Sequence, residues 1–105
     1  MNDADDKTAS LLAALWLRNL PLVEGRLALL DRAAAAIADG ALTEELREEA
    51  SHTAHKLAGS LGMYGYDEGT RIAREMEALL GEAAPDAARL GSLVAELRRA
   101  VFPEA

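Results

Sequence analysis

The sequence predicts an all-α protein: an up-down-up-down four-helix bundle with an additional or kinked helix at its N-terminus. Three observations predict it. Half of the 105 residues are apolar, and Ala and Leu, both strong helix formers, dominate that half. Aromatic residues make up only 4% and β-branched ones are scarce, so little favours strands. Apolar positions then recur at steps of three and four along most of the chain, the period of a helix with one buried face. A chain of this length is one domain that can bury a modest core.

Residues 1–7 are polar and are expected to form a frayed, disordered tail, leaving 8–105 as the folded domain. From Thr8 an apolar stripe begins with Leu11, Leu12, Leu15 and Trp16, expected as core. If this arm caps the bundle only partly, the same side chains would border a partner surface. Pro21 either starts a new helix or kinks a long one, because proline lacks the amide hydrogen and clashes with the preceding turn. Beyond it Val23, Leu27, Leu30, Ala34 and Ile37 share one face, and Gly40 is the stop. Thr43 is the expected cap of the next helix, with Glu44 and Glu45 favourably placed near its positive end. That helix carries Leu46, Ala50, Ala54, Leu57 and Leu61 inward and ends between Gly62 and Tyr66, where Gly65 suits a left-handed turn. Asp67 is expected to cap a further helix with Ile72, Met76 and Leu79 inside, closed by Gly81. Pro85 is expected to open the last one, with Leu90, Leu93 or Val94, Leu97 and Val101 inside and Pro103 past its end. Connections of two to five residues make successive helices antiparallel neighbours.

Charge and composition exclude several functions. Eighteen acidic against 11 basic residues give a net charge of −7, and the longest basic run is the pair Arg98–Arg99, so no nucleic-acid or anionic-membrane partner is expected. No cysteine is present, which removes disulfides, thiol nucleophiles and cysteine-based zinc sites. The acidic start lacks a signal-peptide pattern and no apolar stretch reaches a membrane span, so a cytoplasmic setting is expected.

The helix after Thr43 carries the chemistry. At about 100° per residue, His55 points about 140° away from the centre of the core face, and Glu48, His52, Gly59 and Gly62 share its outward stripe. Glycine inside a helix costs about 1 kcal/mol against alanine, and an outward-facing one gains nothing by packing. Close approach of another surface beside His55 would account for Gly59; an early helix end marked by Gly59 and Gly62 is the alternative. A neutral, exposed imidazole is a nucleophile near physiological pH. Phosphoryl transfer to it is mostly positioning and charge stabilisation, which a partner's Mg²⁺ and lysine can supply. His52 and His55 with Glu48 would be the other possibility, a metal site, but one exposed helix offers no second element to close it, and no metal is expected. His52 is otherwise a solvated surface residue, and Glu44, Glu45, Glu48 and Glu49 are a solvated face.

The stretch Ala54-His55-Lys56-Leu57-Ala58-Gly59-Ser60-Leu61-Gly62-Met63-Tyr64-Gly65-Tyr66 resembles the active-helix motif of histidine phosphotransfer (HPt) domains, in its His-Lys/Arg-Leu-Ala-Gly variant. The resemblance implies that His55 accepts phosphate on Nε2, that Gly59 lets a receiver domain approach, and that Ser60 matches the small residue after it. Lys56, His52 and Gly62 join the phosphate environment or the docking surface. The family's usual lysine, three residues after the histidine, is Ala58 here; Lys56 stands about 100° round the helix, so either its flexible stem or the partner supplies the cation. The resemblance thus implies a phosphorelay intermediate, a carrier rather than a turnover enzyme, with no cofactor of its own and Mg²⁺ on the partner. Its partners would be response-regulator receiver domains, with a hybrid histidine kinase as a further candidate, and a monomer is expected. A helical interaction module that binds receivers or kinases without being phosphorylated is the alternative.

Overall fold

The computed structural model describes residues 3–102, with side chains from Asp6 onward. Four helices follow one another: α1 (Asp3–Ala38), α2 (Glu44–Met63), α3 (Asp67–Leu80) and α4 (Ala87–Val101). Each packs on the next, and α4 closes back on α1, so the four surround one core in up-down-up-down order. Val23, Leu27 and Leu30 of α1, Leu57 and Leu61 of α2, Ile72 and Met76 of α3, and Leu90, Leu93, Val94 and Leu97 of α4 are fully or almost fully buried there. No buried side-chain polar atom in the described residues lacks a hydrogen-bond partner.

The choice between an extra helix and a kinked one is settled in favour of a single long α1, with Pro21 inside it. Proline cannot donate to the carbonyl of Leu17, four residues back. Both Leu17 and Pro21 are exposed, so water reaches that carbonyl and the helix tolerates the missing bond. At 36 residues α1 has a length near 54 Å by the usual rise per residue, matching the longest extent of the molecule, 54 × 25 × 19 Å. The other helices are 14 to 20 residues long, so α1 outreaches the bundle. It starts at Asp3, inside the stretch expected as a tail; residues 1–2 and the proposed end marker Pro103 lie outside the described residues.

Turn chemistry fixes the hairpins. Gly40 and Gly65 have φ of +69° and +83°, which an L side chain resists. Around each, two amides bond back to the helix just ended: Ala41 to Ala36 and Gly40 to Ile37, then Tyr66 to Leu61 and Gly65 to Gly62, the glycine-terminated Schellman pattern. Thr43 caps α2 by accepting from the Leu46 amide at 3.0 Å. Arg47 at the start of α2 donates to the carbonyls of Leu80 and Glu82, both at 2.7 Å, and so ties it to the free end of α3.

Three expectations need correcting. Asp67 does not cap α3: Tyr66 is the cap, because its amide is spent on the preceding turn while its carbonyl already accepts from Thr70. Pro85 does not open α4: Asp86 caps it, accepting from the Arg89 amide at 3.1 Å, and proline precedes the cap. Leu11, Leu12 and Leu15 are not core but exposed, since this part of α1 runs past the bundle. Met63 is also exposed, at 68%, while its neighbours Tyr64 and Tyr66 pack on half-buried Trp16 with ring centroids 5.2 and 4.7 Å away.

Candidate functional site

The middle of α2 lies between two neighbours, α1 on one side and α3 on the other. Ala54, Leu57, Ala58 and Leu61 are buried, which forces the residues between them outward. His55 is accordingly open to solvent, its side chain 72% exposed. Lys56 beside it is exposed and makes no hydrogen bond or ion pair among the described residues. One turn on, Gly59 is exposed, and a Cβ placed on it would meet nothing within 4 Å. An imidazole therefore stands next to bare helix backbone with free space above it.

The remaining predicted residues divide between the two flanks. Ser60 is half-buried on the α1 side, where its hydroxyl accepts from Asn19 Nδ2 at 3.4 Å. Gly62 is on the α3 side: a Cβ there would come 3.2 Å from Thr70 Oγ1, whose hydroxyl donates to the Ala58 carbonyl at 2.9 Å. Small size at Gly62 thus lets Thr70 lock the α2–α3 hairpin. Ala58 is itself almost fully buried, so the position of the family's usual lysine is turned into the core rather than toward His55. His52 is exposed and borders, with His55, an open groove between α2 and the end of α3 that also includes Arg47, Glu48 and Glu77. Among the described residues no three His, Cys, Asp or Glu side chains gather closely enough to hold a metal ion, so Glu48, His52 and His55 share a face without forming a site.

One residue of this site is absent from the motif. Glu77 of α3 places Oε2 3.1 Å and Oε1 3.3 Å from His55 Nδ1, while Nε2 enters no hydrogen bond among the described residues. Motif reading misses it because it lies 22 residues downstream. The signal that finds it is the hairpin: folding the chain back about Gly65 brings residues near 75–77 level with position 55, where Glu75 and Glu77 flank the inward Met76; Glu75 pairs with Arg71 and Arg89, and Glu77 faces His55.

Fold and site together define a class, a small four-helix bundle that presents an open histidine from the middle of its second helix with an open glycine one turn on. The Hpt domain family matches residues 17–101, most of the chain, and this chain belongs to it. Over 80 residues, 76% of the chain, it is 31% identical to Protein RcaC of Microchaete diplosiphon, but spans only 12% of that protein's length. No solved structure matches. Membership supports a role in histidine phosphotransfer within two-component signalling. No helix among the described residues is long and apolar enough to cross a membrane.

Proposed function

We propose that the chain is a phosphorelay intermediate. His55 takes a phosphoryl group on Nε2 from the aspartyl phosphate of a receiver domain, and the aspartate of the same or another receiver takes it on. The observation that carries this reading is the open imidazole of His55 beside Gly59, where added atoms would meet nothing. The transferring group needs an accessible nucleophile and room for a second protein's active site, and both are present. The chain supplies no phosphate-binding loop, so most of the charge stabilisation falls to the receiver, with its Mg²⁺ and lysine. Lys56 is unpaired and on a flexible stem, and it is the one cation adjacent in sequence to His55. The exposed Leu11 and Leu15 of α1 and Met63 of α2 offer apolar area to a docking receiver, in a cytoplasmic setting.

The test is labelling by a phosphorylated receiver. The chain should gain an acid-labile, base-stable phosphate, and His55→Gln should abolish it while the helical circular dichroism is unchanged. Undiminished labelling of that variant would exclude His55. The buried Ala58 in place of the usual lysine favours one second reading, a module that binds receivers without accepting phosphate. Receiver binding with no labelling of the wild type would select it.

A further inference from the structure

Contacts on both flanks fix the rotation of α1. Asn19 reaches Ser60 on α2, while Glu24 and Asp31 pair with Arg98 on α4. With that rotation the charges of the helix sort by side. At about 100° per residue, its described acidic side chains, Asp6, Glu24 and Asp31, fall about 120–140° from Asn19 toward α4. Its cations fall the other way: Arg26 about 20° from Asn19, Arg18 about 100°, Lys7 and Arg32 about 120–140°. None of these four makes a hydrogen bond or ion pair among the described residues. Leu15 and Leu22, 41% and 51% exposed, stand on the same side.

This side runs into the α2 face that carries the histidine. The contacts Trp16–Tyr64 and Asn19–Ser60 set the antiparallel level of the two helices, and by them His55 and Lys56 lie level with residues 23–25 of α1. Along the axis Arg26 is then about 3 Å from the level of His55 and Arg18 about 10 Å. Glu45 and Glu49, both exposed on α2, stand near the level of Arg32 and offset it, so the uncompensated charge is the part nearest His55. A standard interface covers about 800 Å² of each partner, a patch about 30 Å across. A protein that reaches His55 over Gly59 therefore covers Arg18, Arg26 and Lys56 too.

We infer that Arg18 and Arg26, together with Lys56, form a cationic row that selects which receivers dock, favouring those with acidic groups around the phosphorylated aspartate. This rests on the reading of His55 as the phosphoryl acceptor. Covering a cation without a counter-charge is costly, and covering it with a like charge is costlier, so a basic face is rejected and an acidic one is drawn in. In a chain of net charge −7 the row is a local exception, and the acids elsewhere turn an acidic partner away from the other faces. An anionic bilayer would meet those acids as well, and a second copy related by a two-fold axis would bring its own row against this one.

Stopped-flow association of the unphosphorylated chain with two unphosphorylated receiver domains, one of net negative and one of net positive charge, tests the row. The acidic receiver should associate faster at low salt and lose that advantage as salt is added. Arg18→Glu with Arg26→Glu should slow its association about tenfold, leave dissociation within about twofold and flatten the salt dependence, as charges at an interface rim do. Arg18→Lys with Arg26→Lys keeps the charge and should restore the rate. Arg26 is half-buried, so Arg18→Glu alone, at an exposed position, serves where the double variant does not fold; it should slow association about threefold. Equal association of the two receivers, rates unmoved by charge reversal, no recovery with lysine, or tighter binding to anionic vesicles or to a second copy than to the acidic receiver would each overturn the proposal. No phosphate moves in this measurement. Docking through the row by a chain that never accepts phosphate would sink the relay reading and leave the row standing; labelling of His55 that ignores charge reversal would do the opposite.

Discussion

Gly59 and Gly69 both sit inside helices, for opposite reasons. A Cβ on Gly59 enters open space, whereas one on Gly69 would come 3.0 Å from Leu61 Cδ1 and 3.4 Å from side-chain atoms of Leu97 and Val101. Gly69 is therefore a point of close approach of α3 to the α2 and α4 core, and its smallness serves packing. Gly59→Ala should stabilise the fold by about 1 kcal/mol through helix propensity alone. Gly69→Ala should instead destabilise it, because overpacking costs about 1–3 kcal/mol and propensity returns about 1. Denaturant midpoints of the two variants check this, and two shifts of the same sign would refute it. A bulky Gly59→Leu should then leave the fold intact and weaken receiver affinity; unchanged affinity would mean that the bare backbone there serves something other than docking. This contrast was half legible in the sequence. The helical wheel placed Gly59 outward, but a buried glycine such as Gly69 gives no periodic signal, since its importance lies in atoms of three other side chains.

At the scale of elements, α1 is a helix that keeps a proline at its middle. Proline inside a helix costs about 3 kcal/mol against alanine, less where water relieves the stranded carbonyl. Pro21→Ala should accordingly raise stability by about 1–3 kcal/mol, read from chemical denaturation; no gain would mean that the helix already bends around Pro21 without loss. Helix α4 is clasped to α1 by Arg98, whose guanidinium lies 3.0 Å from Glu24 and 2.8 Å from Asp31. Partial burial pulls the Arg98 pKa down, but hydrogen bonds to Asp31 and Glu24 outweigh it and raise it. The elements themselves were largely legible because their signals are local. Thr43 caps, Gly40 and Gly65 turn, and Gly81 ends a helix, each through the few residues around it. The misplaced starts are local too. At Tyr66 one residue both finishes the glycine turn and begins α3, leaving Asp67 no cap to make, and Asp86 out-competes Pro85 because a carboxylate satisfies an orphan amide and a proline ring cannot. Glu77 stayed hidden because the contact it makes is tertiary, visible only once two helices have been folded together.

As a whole, the molecule is a bundle with an overhang. Among the described side chains of α1 the first fully buried one is Val23, and before it only Trp16, Asn19 and Leu20 are even half-buried. Periodicity identified the apolar stripe of the arm correctly but could not say whether anything covers it: Leu11 is 62% exposed, although its spacing is that of a core position. The stability of the fold should therefore reside almost wholly downstream. Removing residues 1–14 deletes none of the buried side chains described and leaves the Trp16 stack on Tyr64 and Tyr66, so the melting temperature should move by less than about 4 °C, the equivalent of about 1 kcal/mol in a domain of this size. By comparison, Leu57→Ala empties a fully buried position between the helices that carry the site and should cost about 2–5 kcal/mol. The two variants together separate the arm from the bundle. If the truncation melts as early as Leu57→Ala, the arm is part of the folding unit, and the exposed leucines contribute to stability in a way their solvent contact does not explain. If it melts with the full chain, the arm is an appendage whose apolar surface is free to meet another molecule, and receiver affinity measured on the truncated chain then reports directly how much of docking that surface carries.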